Sequence, residues 1–327
     1  MSSSTPASGI NNGANTPATL GGPGPAPPGA TGLGAPSAVP ADRGRRAGGR
    51  GGPEVWRRLR RNRAAMAGLG IVILLLVTAI FAPWLAPYSP TAGNMPDQLQ
   101  GPNRRHLLGT DDLGRDILSR IIYGTRITLQ VGVIAVGIGL SIGVVLGSVA
   151  GYYGGLADSI IMRIMDVMLA FPSILLAIAI MAMMGPGLVN CMIAVGIVGV
   201  PTYARLVRGS ILQIKETEYV QAARAVGNRE LRVLARHVLP NTLAPLIVQA
   251  TLGVGSAILE AAALGFLGLG AQRPQPEWGL MLADGRRFLT THPHVCTFPG
   301  LAIMLVVLGF NLFGDGLRDA LDPRLRT

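Results

Sequence analysis

Long apolar stretches separated by short polar segments run through most of the chain. Six of them are roughly 20 residues long, which a helix needs to cross the hydrocarbon core of a bilayer, and each holds at most one charged side chain. They cover residues 64–86, 127–151, 166–184, 189–206, 243–269 and 297–317. The pattern predicts an all-α membrane protein with six transmembrane helices.

The composition supports a membrane protein and sets the first residues apart. The chain is 49% hydrophobic and 14% charged, whereas soluble domains carry about 25% charged residues. Residues 1–53 are mostly Ser, Thr, Ala, Gly, Pro and Asn, which bury too little apolar surface to offset the entropy of ordering. We therefore expect a disordered cytoplasmic tail at 1–53, a first membrane helix with an external loop at 54–126, and a core membrane domain at 127–327.

The distribution of basic residues predicts the orientation in the membrane. With the amino terminus in the cytoplasm, the inside segments hold 20 Arg and Lys residues and the outside segments hold 8. The inside segments are 42–63, 152–163, 205–236 and 317–327, and the outside segments are 88–126 and 271–295. Because basic residues favour the cytoplasmic side, both termini are expected there. The arginines cluster at the ends of apolar stretches, so the net charge of +11 indicates contact with membrane lipid and not with nucleic acid.

Glycine and proline modify three of the predicted spans. The second span has a glycine at every fourth position, which predicts a smooth face where another helix packs closely. These glycines are Gly139, Gly143, Gly147 and Gly151. Pro172 and Pro201 fall inside later spans, where a proline either kinks the helix or is tolerated without a kink. The sequence leaves those two alternatives open.

Few residues of the chain point to chemistry of its own. The sole lysine, Lys215, lies outside any G-x-x-x-x-G-K-[ST] loop, which excludes ATP hydrolysis by this chain. We expect no cofactor, metal or catalytic residue. Glu260 is the one carboxylate near the middle of a span, and it is either a pathway residue or a hydrogen-bonded group that locks helices together. The candidate pathway or gate residues are Glu260, Phe266 and Trp278.

The external loop contains LGTDDLGRD, residues 108–116. Its aspartates lack the D-x-[DN]-x-[DN]-G spacing of a calcium loop. A structural interpretation fits better, because Thr110 or Asp111 can cap a helix whose apolar residues begin at Ile117. That helix is expected to lie along the outer surface and lead into the second span.

The loop at 207–242 is long, basic and predicted to fold. Residues 218–226 indicate a short helix, and Gly227 follows where a helix ends in a left-handed residue. Asn228 can cap a second helix that Pro240 stops.

Two functions suit a helix, glycine and helix on the cytoplasmic side. The second helix carries Leu231, Leu234 and Val238 at helical spacing. Such an element either docks in a groove of a soluble partner or rests on anionic lipid through its arginines. Physical reasoning alone does not separate these alternatives.

The same loop resembles a known motif. QAARAVG, then nine residues and HVLP, at 221–240, is similar to the EAA loop of ABC importer permeases, with Gln221 in place of the usual Glu and His237 in place of the usual Ile. In that family the loop is the coupling helix that fits a cleft on the ATPase subunit. The resemblance therefore implies ATPase coupling by Glu218, Gln221, Ala222, Ala223, Gly227, Leu239 and Pro240.

Three further motifs resemble the C-type permease of dipeptide and oligopeptide importers. They are LGTDDLGRD, FLGLGAQRPQPEWGLML at 266–282 and DGLRDALDPRLR at 315–326, and the likeness covers about 55–327. It implies the six-helix fold of a type I ABC importer permease in the bacterial inner membrane. It also implies a second, homologous permease forming a heterodimer, two ATPase subunits that hold ATP and Mg, and an extracytoplasmic solute-binding protein.

Alternatives remain for the function and for the cargo. A secondary transporter or channel works without ATPase partners, and a membrane-anchored assembly or signalling subunit does not transport at all. Within the family that this chain resembles, related permeases also carry nickel chelates, glutathione or haem precursors.

Overall fold

The computed structural model describes residues 51–321, which form eleven α-helices and no β-strand, so the predicted all-α fold is confirmed. The helices are α1 (Gly51–Arg61), α2 (Arg63–Leu85), α3 (Ile117–Tyr153), α4 (Gly155–Ala170), α5 (Ser173–Met184), α6 (Leu188–Ile214), α7 (Glu218–Ala225), α8 (Glu230–Val233), α9 (Leu239–Phe266), α10 (Trp278–Gly285) and α11 (His294–Leu321). Residues 1–50 of the predicted tail lie outside the described residues, and 51–53 belong to α1.

Five predicted spans are confirmed as continuous helices. Among the described residues, α2, α3, α6, α9 and α11 are long and apolar enough to cross a membrane. Helix α3 is longer than expected, because it runs without a break from Ile117 through the predicted span at 127–151. The separate surface helix predicted before that span is therefore wrong, and the expected domain boundary at 126 falls within α3.

The predicted span at 166–184 is two helices. Helices α4 and α5 meet at an angle of 98°, and together they are apolar enough to form a sixth span. Phe171 and Pro172 between them are both extended, with ψ of 139° and 133°. The proline ring disfavours a helical residue before it and offers no N–H, so of the two alternatives left open for Pro172 the structure shows the stronger effect, a full break. Pro201, in contrast, lies inside the unbroken helix α6.

The start of α3 is set by Asp116. Its carboxylate accepts a hydrogen bond of 2.8 Å from the backbone N–H of Ser119, which makes it the N-cap. The predicted caps were wrong because their oxygens have other partners. The Asp111 carboxylate accepts from the backbone N–H groups of Leu113 and Arg115, and the Thr110 hydroxyl donates to a backbone carbonyl.

The predicted glycine face of α3 is confirmed and packs on α6. A Cβ at Gly139 would lie 2.9 Å from the carbonyl oxygen of Gly196, and one at Gly143 would lie 2.5 Å from the Cβ of Tyr203. Gly147 and Gly151 face the next two turns of α6 in the same way. Because no side chain stands between the two helices, their backbones approach closely along four turns.

The bundle has two ends, which we name after a short helix at each. At the α10 end, the backbone N–H of Tyr88, just after α2, donates to the hydroxyl of Ser119 at the start of α3. At the α7 end, α1 packs against the last turns of α11, where Leu59, Ala65 and Ala320 form a small apolar cluster. The two cysteines, Cys191 and Cys296, are buried and free.

Gly143→Ala should destabilise the bundle. The new Cβ would overlap Tyr203 and lie 3.0 Å from backbone atoms of α6 that cannot move independently. We expect a loss of about 1–3 kcal/mol in the free energy of unfolding, as for other overpacked cores. Gly137→Ala is the matched control on the same helix, because a Cβ there meets nothing within 4 Å. Denaturant unfolding in detergent measures both, and equal losses would contradict close packing at Gly143.

Candidate coupling loop and membrane cavity

Helix α7 is short and ends at the predicted left-handed glycine. Gly227 has φ of +85°, which confirms the prediction, and its N–H donates to the carbonyl of Arg224 at 2.8 Å. A side chain at this position would meet no atom within 4 Å. Glycine is therefore required here by the backbone angle and not by a lack of space.

The loop exposes apolar side chains among charged ones, since Glu218, Arg229 and Arg232 are exposed as well. Val226 is 83% exposed and Leu231 is 69% exposed, and Tyr219 is nearly half exposed. Of the predicted coupling residues, Glu218, Gln221, Ala222 and Gly227 are exposed, whereas Ala223 and Leu239 are half-buried. The exposure of Val226 and Leu231 was not predicted from the sequence. The one available signal was the position of Val226 directly before the glycine that turns the chain.

The second half of the loop differs from the prediction. Helix α8 covers only Glu230–Val233, and a π-helical turn, Leu234–Val238, joins it directly to α9. Asn228 does not cap α8, because its side-chain amide donates to the carbonyl of Ala223 at 2.9 Å. Pro240 does not stop a helix either. It lies in the first turn of α9, a position that tolerates a residue without an N–H group.

Polar contacts join the loop to the end of α3. The hydroxyl of Tyr152 donates to the carboxylate of Glu230, and the guanidinium of Arg224 lies 5.2 Å from the centroid of the Tyr152 ring. Nearby, the Lys215 ammonium donates to the carbonyl of Gly151 at 3.2 Å. Together with the buried side chains Val220 and Val233, these contacts hold α7 and α8 against the bundle.

A half-open cavity of about 380 Å³ lies where α9, α6 and the break between α4 and α5 meet, and its lining residues Ser173, Thr202 and Ser256 are exposed. Its polar lining residues are Ser173, Thr202, Tyr203, Gln249, Ser256 and Glu260. The hydroxyl of Ser173, the first residue of α5, donates to the Glu260 carboxylate. Of the predicted pathway residues, the structure thus places Glu260 at a cavity.

The other two predicted pathway residues lie elsewhere. Trp278 is 1% exposed, and its indole Nε1 donates to the carbonyl of Ile121 at 3.2 Å. It therefore joins α10 to α3. Phe266 lies at the end of α9, with the Arg286 guanidinium 6.0 Å from its ring centroid. Neither residue lines the cavity that contains Glu260.

Two of the three aspartates of the LGTDDLGRD motif are paired with arginines, and the third, Asp116, lies 3.0 Å from His106. Asp111 lies 2.7 Å from Arg115, and Asp112 lies 2.5 Å from Arg287 in the segment before α11. Arg120, fully buried, donates to the carbonyl of Pro90 at 2.9 Å. These contacts tie the loop before α3 to the α10 segment. Within residues 51–321, no group of three or more acidic, histidine or cysteine side chains could hold a metal ion.

Helix α10 is capped by a buried acid. Both carboxylate oxygens of Glu277 accept backbone hydrogen bonds, from Gly279 at 2.8 Å and from Leu280 at 2.7 Å. Burial raises the pKa of Glu277, and the two backbone donors oppose that rise. The cap fixes the position of Trp278, the first residue of α10.

Two family models match this chain. Residues 143–327 match the family described as "Binding-protein-dependent transport system inner membrane component". Residues 53–102 match "N-terminal TM domain of oligopeptide transport permease C". The first match includes α6, the loop with α7 and α8, the cavity-lining part of α9, and α11.

Named relatives are similar over most of their length. The dipeptide transport system permease protein DppC of Alkalihalophilus pseudofirmus is 56% identical over 274 residues, covering 84% of this chain and 90% of the relative. The di/tripeptide transport system permease protein DppC of Pseudomonas aeruginosa is 50% identical over 280 residues, covering 84% and 92%. The glutathione transport system permease protein GsiD of Escherichia coli O157:H7 is 52% identical over 274 residues, covering 84% and 90%.

A solved structure shares the fold. A chain of the MetNI methionine ABC transporter in an inward-facing conformation superposes with a TM-score of 0.52 at 19% identity. The superposition covers 63% of this chain and 98% of that chain. At this identity the likeness shows the fold, which is that of an ABC importer permease.

Tyr152→Phe should loosen the loop from the bundle. The substitution keeps the ring under Arg224 but removes the hydroxyl that donates to Glu230. Since a hydrogen bond to a charged group is worth about 1.5–3 kcal/mol, amide hydrogen exchange in α7 and α8 should accelerate about tenfold. Tyr153→Phe is the matched control, because Tyr153 is mostly exposed. Equal exchange in both variants would contradict the anchoring role.

Proposed function

This chain belongs to the binding-protein-dependent transport system inner membrane components, the permeases of bacterial ABC importers, and from that membership we propose that it carries small peptides across the plasma membrane. The permeases named above serve dipeptides, di/tripeptides and glutathione, which are all peptides of two or three residues. The proposal rests mainly on 50–56% identity to them over 84% of this chain.

We further propose that α7 docks on an ATPase subunit. Of the two alternatives for this loop, we favour the protein partner because α7 exposes Tyr219 and Ala222, with Val226 directly after it, and its one basic residue, Arg224, lies over the Tyr152 ring. The exposed basic residues Arg229 and Arg232 lie after Gly227, in and beside α8. Small and apolar side chains suit a groove in a protein partner. Glu218, Gln221, Ala223, Leu239 and Pro240 complete the proposed coupling segment, and the basic residues behind it remain available to lipid.

The same function defines the partners and the orientation. The α7 end faces the cytoplasm, with both termini, because two ATPase subunits there hold the ATP and Mg that this chain does not bind. The α10 end faces outward and receives peptide from an extracytoplasmic solute-binding protein. A second, homologous permease forms a heterodimer with this chain and completes the translocation path.

The connection from α8, which follows α7, to the cavity is a nearly continuous helix. From Glu230 to Phe266, α8, the π-helical turn and α9 follow one another without a loop. Glu260 lies 30 residues after Glu230, or about 45 Å along such a helix at 1.5 Å per residue. Movement of α7 on an ATPase subunit therefore reaches the cavity through α9, and through Tyr152 it also reaches α3. This coupling alternates the access of the cavity between the two sides of the membrane.

Purification with the neighbouring components separates this proposal from its rivals. An importer permease copurifies with ATPase subunits, and its uptake of dipeptide into vesicles requires ATP. A secondary transporter or channel moves the same substrate without ATP, and an assembly subunit moves none. Uptake that persists without ATP would overturn the importer proposal.

Gly227→Val should abolish uptake and uncouple the stimulation of ATPase activity, while membrane insertion stays intact. Valine strongly disfavours the positive φ of this residue, so α7 would leave its docking geometry. Gly227→Asn should keep much of the uptake, because asparagine tolerates the left-handed region. Gly101→Val, at an open site in the loop at the α10 end, is the matched control. Normal uptake by Gly227→Val would contradict the coupling assignment.

A further inference from the structure

The cavity beside α9 carries a single formal charge. Of the residues that line it, Glu260 alone is ionisable at neutral pH, and the other polar groups are hydroxyls and one amide. A cavity with one carboxylate and no basic residue attracts a cation and repels an anion. The cavity volume of about 380 Å³ is within the range of sites that hold small ligands.

The polar groups of α9 form one stripe. Gln249, Gly253, Ser256 and Glu260 are separated by four, three and four residues, so they share one face of the helix over about 16 Å. Gly253 lies against the hydroxyl of Tyr203 from α6, where a Cβ would overlap it. The missing side chain leaves room for the Tyr203 hydroxyl, which adds a polar group between the two ends of the stripe.

Glu260 lacks a charged partner in the described part of the chain. No basic nitrogen lies within ion-pair distance, and Ser173 supplies a hydrogen bond to its carboxylate. Placing a carboxylate at this depth costs about 2.5–3.5 kcal/mol on insertion scales. A permanent structural role would normally offset that cost with a basic partner, whereas a site for a passing cation leaves the carboxylate free.

From these observations we infer that the cavity binds the ammonium group of the transported peptide, and that Glu260 is the residue that selects it. This inference rests on the proposed function and adds the chemical group that is bound and the residue that binds it. An ammonium has three donors, and the Glu260 carboxylate and the Ser256 hydroxyl, one turn apart on the stripe, are acceptors within its reach. The Gln249 carbonyl, about 16 Å away along α9, is an acceptor for another part of the peptide. A peptide residue spans about 3.3–3.6 Å, so a di- or tripeptide fits along that stripe.

The charge of the cavity can be measured without any peptide. In the full complex, Cys191 and Cys296 are replaced by alanine and Ser256→Cys is introduced. The thiol is then labelled with cationic 2-aminoethyl methanethiosulfonate or anionic 2-sulfonatoethyl methanethiosulfonate. Relative to a free thiol in solution, the cationic reagent should be favoured by about tenfold or more. Adding Glu260→Gln should bring this preference close to that of the free thiol.

Ser173→Ala distinguishes a charge from a structural hydrogen bond. The substitution removes the hydroxyl donor and leaves the carboxylate, so most of the preference for the cationic reagent should remain. If Ser173→Ala and Glu260→Gln reduce the preference equally, or if no preference exists, the inference is overturned.

Uptake connects the cavity with the substrate. With the binding protein saturated by L-alanyl-L-alanine, Glu260→Gln should lower the maximal rate of ATP-dependent uptake about tenfold or more, and Glu260→Asp should restore part of it. Asp315→Asn, which removes the same charge from the exposed α7 end of α11, is the matched control. ATPase stimulation by the binding protein should stay measurable in every variant, which shows that the complex is assembled.

The two proposals fail in different ways. A wild-type complex that imports no dipeptide overturns peptide import and with it the ligand named here, while the labelling ratio still reports the charge of the cavity. If the wild-type complex and the Glu260→Gln complex import dipeptide equally well, the proposal of peptide import stands. The role given to Glu260 is then overturned.

Discussion

The close contact between α3 and α6 is the interaction on which the rest of this molecule depends. Both helices are apolar, so the surface of either one has almost the same environment against lipid as against the other helix. The hydrophobic effect therefore contributes little to their association. The glycine face of α3 supplies the reason, because it lets backbone meet backbone along four turns. This contact places Tyr203 of α6 at the cavity and Tyr152 of α3 under the loop that carries α7.

The same contact also positions the broken span. Arg208, whose backbone packs against Gly151 of α3, forms two hydrogen bonds of 2.5 and 2.6 Å with Asp158 of α4. With α4 held there, the extended pair Phe171 and Pro172 directs Ser173 to Glu260. A cavity at the meeting point of broken and continuous helices is typical of transport sites, where irregular backbone is tolerated because it lines a polar space.

Local chemistry explains which parts of the fold were predictable. Apolar length predicted the membrane helices, and the requirement for positive φ predicted the end of α7 at Gly227. Both depend on residues close in sequence. The cap of α3 was not predictable, because three neighbouring residues could serve and the choice depends on arginines that compete for Asp111. How far the chain bends at Pro172 likewise depends on the contact that holds α4 against α6, a helix distant in sequence.

The candidate site shows the same limit. The position of Glu260 within an apolar span left open a pathway residue or a group that locks helices together, and the structure adds the cavity beside it. For Trp278 and Phe266, the motif indicated that the residues matter but not where their side chains point. Whether an aromatic side chain lines a path or fills a core depends on its neighbours, and Trp278 fills the space left by Gly124 of α3. The exposure of Val226 and Leu231 depends in the same way on which faces of α7 and α8 the bundle covers.

Pro240 shows how the loop can transmit movement although it contains a helix breaker. In a regular helix its ring would clash with the carbonyl four residues earlier, and the helix would bend or end. Here the preceding turn is π-helical, and the N–H of Leu239 reaches back to the carbonyl of Leu234. The wider turn makes room for the proline ring, and the side-chain amide of Asn241 donates to the carbonyl of His237 at 2.7 Å. Because the backbone groups at the junction keep hydrogen-bond partners, α8 continues into α9 without a break. The two helices can therefore move as one between the α7 end and the cavity.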